Sequence, residues 1–360
     1  MPLLAGGLLE LPLGVFAGEG KRRRLAVLAG GIAFVLALLG VASARSFAVL
    51  LCAFVAFYPA SGAFVSLTQA ELMDIWPDRH ARVMARWELA GSIGAVAGPL
   101  LLTAVLASGG GWRDAYLVLA VLAALVWLGC WLRQPQAAET GTVARADVAA
   151  GTRESVEAEG AGRVAEGRPW RVRAREVLAA LQDWGTVRWL VLLQVADLLV
   201  DVFTGFLALY LVDVDHLRPA IAALAIAIRL GASLAGGSAL LVVLERVGDL
   251  TVLRATAVAA SLLYPAFLLV PGAVPKLVIL AGLSAATAPW YPLLQARLYE
   301  SLPGRSSAAV TLSSAAGLAG GLGPLAVGLT AQALGLGWAL AGLVVVPLAV
   351  LALSATARRT

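Results

Sequence analysis

"AGSIGAVAGPLLLTAVLASGGGW" at residues 90–112 and "AAGLAGGLGPLAVGLTAQALGLGW" at residues 315–338 are two copies of one pattern. Both are apolar and rich in small residues, contain a Gly-Pro pair and end in Gly-Trp. Small residues let helices approach closely in lipid, and a proline bends the helix that contains it. The repeat therefore predicts a membrane protein built from two related bundles of helices. The residues predicted to act as packing and hinge positions are Gly94, Gly98, Pro99, Gly323 and Pro324.

The composition supports the same fold class, an all-α membrane protein. Hydrophobic residues make up 60% of the chain, charged residues only 14%, and the mean hydropathy is +0.87. Soluble domains have about 45–50% apolar and about 25% charged residues. A membrane-spanning helix needs about 20 apolar residues, and eleven runs approach or exceed that length. The predicted spans are 3–17, 25–43, 47–72, 83–107, 114–133, 187–211, 218–243, 251–271, 276–300, 306–334 and 337–355.

The basic residues predict the orientation of these spans. Of the 27 Lys and Arg residues, 22 fall in alternate loops and only 4 in the opposite loops. Because positive loops stay on the cytoplasmic side, the first loop, the long central connection and the C-terminus are expected there, in a plasma membrane of the bacterial inner-membrane type. The net charge of +5 is therefore a feature of topology, and no nucleic-acid partner is expected.

The long connection divides the predicted bundle. Its residues are rich in Ala, Gly, Glu and Arg without apolar periodicity, which is typical of a flexible linker. The predicted domains are residues 1–133 with five helices, a partly disordered cytoplasmic linker at residues 134–175, and residues 176–360 with six helices.

Several classes of chemistry have no signal in the sequence. Cys52 and Cys130 lie inside apolar runs, and His80 and His216 stand alone in loops, so neither a disulfide framework nor a metal site is expected. Neither lysine stands in a phosphate-binding Gly-rich motif. We therefore expect no cofactor and no enzymatic activity. Any step that requires energy must be driven by a gradient across the membrane.

Polar side chains recur at helical spacing inside three spans. Gln194, Asp197, Asp201 and Thr204 are separated by 3, 4 and 3 residues, so they share one face of a helix. In lipid such a face must look inward. The other two faces consist of Tyr58, Ser61 and Thr68, and of Ser284, Thr287, Tyr291 and Gln295.

Arg229 is the predicted partner of this acidic face. Asp197 lies about 15 Å along its span and Arg229 about 16 Å along the next, so both reach the middle of the bilayer. An Asp197–Arg229 ion pair would leave Asp201 unpaired and able to exchange protons. The alternative is a structural ion pair beside one neutral, hydrogen-bonded aspartic acid.

Other polar residues have simpler interpretations. Glu88 is expected near the cytoplasmic interface, paired with a loop arginine. Trp290 and Tyr291 either stack on a substrate or pack within the bundle. The acidic residues expected to be solvated or to pair with Arg79 and Arg82 are Glu71, Asp74 and Asp78.

Three motifs resemble those of the major facilitator superfamily. "GSIGAVAGP" resembles the Gly-Pro motif of that family's fifth helix, found mainly in antiporters, and "ERVG" (Glu245, Arg246 and Gly248 around a valine) is similar to the core of its cytoplasmic loop motif. "GVFAGEGKRRR" at residues 14–24 resembles the first-half copy, with Gly18 in place of the family's aspartate. In this register the first span matches the family's second helix, so we expect the family's first helix to be missing from the sequence, as in a truncated gene product.

The resemblance covers the whole chain and implies its fold and function. It implies two pseudo-symmetric halves around a central cavity lined by the three polar faces. The implied function is secondary active transport of a small solute by alternating access, coupled to protons, with export by antiport favoured. Uptake of a sugar or other nutrient by symport, and a non-transporting sensor or scaffold, are the alternatives. The implied partners are a small solute, protons and the bilayer, with the chain acting as a monomer.

Overall fold

The computed structural model describes residues 21–149, 170–303 and 305–356, and every regular element in these ranges is a helix. Ten of them are long and apolar enough to cross a membrane, and they confirm ten of the eleven predicted spans. The remaining predicted span, residues 3–17, lies outside the described residues. The helices are α1 (Lys21–Ser43), α2 (Phe47–Ile75), α3 (His80–Ala107), α4 (Trp112–Ala149), α5 (Trp170–Ala180), α6 (Trp184–Val214), α7 (Pro219–Val243), α8 (Asp249–Leu269), α9 (Ala273–Glu300), α10 (Ser306–Leu334) and α11 (Leu336–Ala355).

Helix α4 continues beyond the membrane-spanning length. Its apolar part ends at Leu132, yet the helix runs on to Ala149. The helix therefore covers residues 134–149 of the predicted linker, where alanine, glutamate and arginine favour a helix, and the partly disordered character of the linker remains a prediction. Residues 150–169 of the predicted linker lie outside the described residues.

Four of the helices are interrupted. Helix α6 contains two π-helical segments, Leu198–Val202 and Tyr210–Val214. Helix α9 is interrupted between Thr287 and Trp290, α10 between Gly320 and Gly323, and α11 between Gly342 and Val345. Such interruptions allow a helix to bend, and they alter which side chains share a face.

The described residues pack as two contact units. The first contains residues 21–74, 99–149, 170–179 and 305–315, and the second contains residues 75–98, 180–303 and 316–356. Helices α3 and α10 therefore each contribute to both units, and α3 divides between Gly98 and Pro99. The division into two halves at residues 134–175 remains a prediction.

In the first unit, α1 is held closely against α2 and α4. A Cβ atom at Gly30 would stand 2.6 Å from the Cβ of Ala63, so only glycine fits without displacement. The Trp127 indole N–H donates to the carbonyl oxygen of Leu28 at 3.0 Å. Close backbone approach and one indole hydrogen bond thus fix these helices together.

A buried arginine joins the ends of three helices in the same unit. Arg23 contacts Asp74 at 2.5 Å and donates to the Ser306 hydroxyl at 2.8 Å, and that hydroxyl donates to Asp74 at 2.6 Å. Arg24 lies 3.8 Å from Glu71. Of the two alternatives, pairing with Arg79 or Arg82 is therefore wrong for Asp74 and Glu71, and Asp78 is exposed, as the solvated alternative expects. Because α1 and α2 are successive antiparallel helices, the start of α1 meets the end of α2.

In the second unit, aromatic packing positions α6. The ring of Phe203 lies 5.5 Å from that of Tyr264 and 5.2 Å from that of Phe267, both on α8. The Tyr264 hydroxyl is fully buried and donates to the carbonyl oxygen of Leu340 at 2.8 Å. This contact satisfies the polar end of the ring inside an apolar core. The middle of α6 is consequently fixed on one side, and its polar residues lie on another.

Candidate functional site

Three carboxylates of the second unit lie within electrostatic range of one another. Asp197 is the last residue of the first α-helical part of α6, and Asp201 lies in the π-helical segment Leu198–Val202. The electrostatic neighbours of Asp197 are Asp201 and Glu88. Asp197 and Glu88 are half-buried and Asp201 is exposed. We call these three residues the carboxylate cluster.

The position of Glu88 corrects the sequence interpretation. It was expected at the interface beside a loop arginine, but its electrostatic partner is Asp201. The helical segment begins at Pro77, earlier than predicted, so Glu88 lies about 16 Å along it, inside the span and away from its predicted cytoplasmic end. Within the residues that the structure describes, no group of acids, His or Cys is arranged to hold a metal ion.

Arg229 contacts the backbone of α6 rather than Asp197. Its guanidinium donates to the carbonyl oxygen of Val200 at 2.7 Å and to the hydroxyl of Thr204, which in turn donates to the same carbonyl. In the described part of the chain no ion pair joins Arg229 to a carboxylate. The predicted Asp197–Arg229 pair is therefore wrong, and the carboxylate that interacts electrostatically with Arg229 is Asp201.

The π-helical segment explains this difference. The predicted face assumed 3.6 residues per turn from Gln194 to Thr204, whereas a π-helical turn contains more residues. Residues after Leu198 are consequently rotated relative to Gln194 and Asp197. Composition and periodicity carry no signal for such a segment, which is why the depth of each residue was predicted and its direction was not.

The break in α10 packs against the same part of α6. A Cβ atom at Gly320 would lie 2.5 Å from the side-chain oxygen of Gln194, and one at Gly323 would overlap the side chain of Leu198. A methyl group at either position would therefore have to displace the end of the neighbouring side chain, and glycine avoids this. A Cβ atom at Gly94 or Gly98 would meet nothing within 4 Å, so the packing role of these two residues remains a prediction.

The polar face of α2 belongs to the first unit. Tyr58, Ser61 and Thr68 are half-buried. The Thr68 hydroxyl donates to the carbonyl oxygen of Phe64, one turn earlier in its own helix, at 2.5 Å. A shared substrate site formed by these residues and α6 remains a prediction.

The polar face of α9 is largely buried. The hydroxyls of Ser284 and Thr287 donate to carbonyl oxygens of their own helix, at 2.7 Å and 3.0 Å. Gln295 is buried and Tyr291 is half-buried. Trp290 is fully buried, and its indole N–H donates to the hydroxyl of Thr256 at 3.2 Å. Of the two interpretations of Trp290, packing is therefore the correct one.

The loop motif at residues 245–248 borders a cavity in the second unit. Glu245, Arg246 and Gly248 are exposed, and the ion pairs lie next to them: Arg297 contacts Asp249 at 2.6 Å and Glu300 at 2.9 Å. Arg297 was not predicted as a site residue. The cavity of about 620 Å³ is lined by Pro77, Asp78, Arg79, His80, Ala81, Arg82, Leu244, Val247, Gly248, Asp249, Arg297 and Glu300.

Comparison with known families identifies this architecture. The sequence profile of the Major Facilitator Superfamily matches residues 1–311, which is most of the chain. The chain belongs to the Major Facilitator Superfamily. The resemblance seen in the Gly-Pro and loop motifs is thereby confirmed, and the chain is an integral, polytopic membrane protein of all-α fold.

Solved structures of this superfamily share the fold. The transporter FucP, crystallised in an outward conformation, matches with a TM-score of 0.73 at 15% identity over 99% of this chain and 89% of that one. A single-residue variant of the E. coli fucose:proton symporter FucP gives 0.69 at 14% identity over 99% and 90%. The proton:xylose symporter XylE bound to 6-bromo-6-deoxy-D-glucose gives 0.73 at 13% identity over 97% and 83%. No curated protein sequence matches the chain significantly.

Proposed function

We propose that this superfamily member is a secondary active transporter that moves a small solute by alternating access and couples that movement to protons at the carboxylate cluster. The observation that carries the proposal is the proximity of Glu88, Asp197 and Asp201 inside membrane-spanning helices. Ionisable groups at this depth are costly, and they mark ion and substrate pathways.

The charge balance of the cluster supports proton exchange. Carboxylates that share a site of low dielectric cannot all stay ionised. Among the residues that the structure describes, Arg229 is the one basic side chain that interacts electrostatically with the cluster, and its hydrogen bonds go to Val200 and Thr204. The site therefore favours the binding of protons or of a cationic solute in their place. Competition between the two is the basis of antiport, so export of a cationic solute is the favoured direction.

Proton coupling is tested in proteoliposomes that contain the full chain and the pH-sensitive dye pyranine. Under an imposed pH gradient, tetraphenylphosphonium, ethidium, L-fucose and D-xylose are added in turn. We expect proton flux that depends on one of these probes and that Asp201→Asn abolishes. The control is Asp213→Asn, the same change at an exposed aspartate of α6, which should keep the flux. Equal flux in the wild type and in Asp201→Asn would contradict the proposal.

The sign of the flux distinguishes export by antiport from uptake by symport. Vesicles loaded with the active probe are diluted into probe-free buffer at equal pH. An antiporter brings protons in as the probe leaves, so the lumen becomes acidic. A symporter carries protons out with the probe, so the lumen becomes alkaline and the antiport assignment is wrong. If the luminal pH does not change and the vesicles retain every probe, a non-transporting sensor is favoured.

A further inference from the structure

The contacts of Arg229 form a compact network around one carbonyl group. Its guanidinium donates to the Val200 carbonyl and to the Thr204 hydroxyl, and the Thr204 hydroxyl donates to the Val200 carbonyl as well. Val200 belongs to the π-helical segment Leu198–Val202, and Thr204 follows it by one turn. The network thus ties a side chain of α7 to the backbone of α6 at the segment that contains Asp201.

The burial of Arg229 argues against a simple stabilising role. The residue is only 8% exposed, and within the described residues its Nε atom has no hydrogen-bond partner. A buried donor that lacks a partner costs free energy, and a buried charge is rarely a net source of stability. An apolar side chain of similar length would avoid both costs. The guanidinium at this position is therefore better explained by the geometry that it imposes on α6.

The direction of Asp201 depends on that geometry. Each residue of an α-helix advances the chain by about 100°, which follows from 3.6 residues per turn. A π-helical turn contains about one more residue than an α-helical turn, so converting the segment to α-helix would rotate the residues that follow it by up to about that angle relative to Asp197. Asp201 lies inside the segment and would turn by part of that angle. The direction of its carboxylate relative to Glu88 and Arg229, its electrostatic neighbours on other helices, would therefore change.

We propose that Arg229 is a positioning residue: with Thr204 it holds α6 in its π-helical form at Val200 and so fixes the direction of the Asp201 carboxylate. Its consequence for transport rests on the proposed function, but the structural relationship does not. Arg229 itself takes no part in proton transfer in this arrangement. The charged groups that face Asp201 are Asp197 on its own helix, Glu88 on α3 and Arg229 on α7.

The first test measures amide hydrogen exchange in the purified full-length chain in lipid nanodiscs. The variants are Thr204→Val, which removes one hydroxyl without changing shape or charge, and Arg229→Met. We expect exchange in the peptide covering residues 198–204 to rise about tenfold or more in both variants, as expected for the loss of a charge-assisted hydrogen bond. The control is Thr330→Val, which removes an exposed hydroxyl that bonds its own helix at 2.8 Å without an arginine nearby.

The second test distinguishes a positioning role of Arg229 from an effect of its charge alone. Dicyclohexylcarbodiimide, an apolar reagent for membrane carboxyl groups, is used to label Asp201, and its rate of labelling at pH 7 is measured by mass spectrometry. We expect Thr204→Val, Arg229→Lys and Arg229→Met all to change the rate, because a lysine keeps the charge but lacks the planar guanidinium. Labelling at the wild-type rate in Thr204→Val and Arg229→Lys, with a change in Arg229→Met alone, would mean that only charge matters and would overturn the proposal.

Both measurements remain informative if a variant folds poorly or if transport is absent. Thr204→Val is conservative enough to carry each test without Arg229→Met, and unchanged exchange at residues 198–204 in Thr204→Val would itself overturn the proposal. Neither measurement requires solute movement. A failure of proton coupling in vesicles, with the exchange and labelling results as expected, would therefore remove the proposed function and leave the role of Arg229 in place.

Discussion

The Nζ atom of Lys276 lies 2.5 Å from a carboxylate oxygen of Asp215, and the lysine is only 2% exposed. Its ammonium group also lies 5.1 Å from the ring centre of Tyr210 and 5.3 Å from that of Phe267. Asp215 follows the second π-helical segment of α6, and Lys276 is in the first turn of α9. This buried ion pair therefore joins the end of one helix to the start of another.

Removing one partner of this ion pair should be more harmful than removing both. Lys276→Met leaves the Asp215 carboxylate without its cation, and Asp215→Asn leaves a buried ammonium without its anion. Each single change should cost about 3–5 kcal/mol of unfolding free energy. The double variant should cost less than the sum of the two, as measured by thermal unfolding in detergent. Additive losses would contradict the coupling, and Arg218→Met provides an exposed control.

The glycines at the break in α10 should be more sensitive to substitution than those of α3. Gly323→Ala places a methyl group against Leu198, and Gly320→Ala places one against Gln194, so both should lower the melting temperature. Gly94→Ala meets no atom within 4 Å and should be neutral or stabilising by about 0.5–1 kcal/mol, since alanine favours a helix. Adding Leu198→Ala to Gly323→Ala should restore part of the loss. Equal effects at positions 94 and 323 would be inconsistent with the observed packing.

Asp183 should stabilise the start of α6 in a pH-dependent way. Its carboxylate accepts hydrogen bonds from the backbone N–H of Thr186 at 3.0 Å and from the Thr186 hydroxyl at 2.9 Å. These bonds hold the pKa of Asp183 below its ordinary value of 3.8. Because the pKa is lower in the folded state, the stabilisation is present above pH 3.8 and is lost as the pH falls through the folded-state value.

The measurement is the difference in melting temperature between the wild type and two variants across this pH range. Asp183→Ala removes the cap and should cost about 1 kcal/mol at pH 7. Asp183→Asn keeps an acceptor but cannot ionise, so its difference from the wild type should be constant above pH 3.8 and shrink as the pH is lowered further, through the folded-state pKa. A difference that stays constant below pH 3.8 as well would show that the charge of Asp183 does not contribute.

The sequence predicted the spans because hydropathy and length are properties of single segments. Ten segments match helices of the structure, and their ends differ by only a few residues, as with 187–211 against Trp184–Val214. Depth along a helix follows from the same counting, so Asp197 and Arg229 were correctly expected within neighbouring spans. Direction around the helix axis was less predictable, because the π-helical segment at Leu198–Val202 has no signature in composition.

Contacts between distant parts of the chain could not be predicted from the sequence either. The partner of Asp74 is Arg23, because the start of α1 lies beside the end of α2, whereas Arg79 is closer in sequence. The sequence left substrate stacking and packing open for Trp290, which follows the interruption of α9 and lies in the core, where it meets Thr256. In both cases the tertiary arrangement decides the partner, and local spacing does not contain that information.

For Glu88 the sequence and the structure give different expectations. At an interface beside a loop arginine, Glu88→Gln would leave proton coupling unchanged. If Glu88 belongs to the carboxylate cluster, the substitution removes one negative charge near Asp197 and Asp201. The probe-dependent proton flux in proteoliposomes should then fall about tenfold or more, which corresponds to a free-energy change of roughly 1.4 kcal/mol. Glu71→Gln is the matched control, since Glu71 pairs with Arg24 in the other unit and should leave the flux intact. Wild-type flux in Glu88→Gln would exclude Glu88 from coupling and reduce the cluster to its two aspartates.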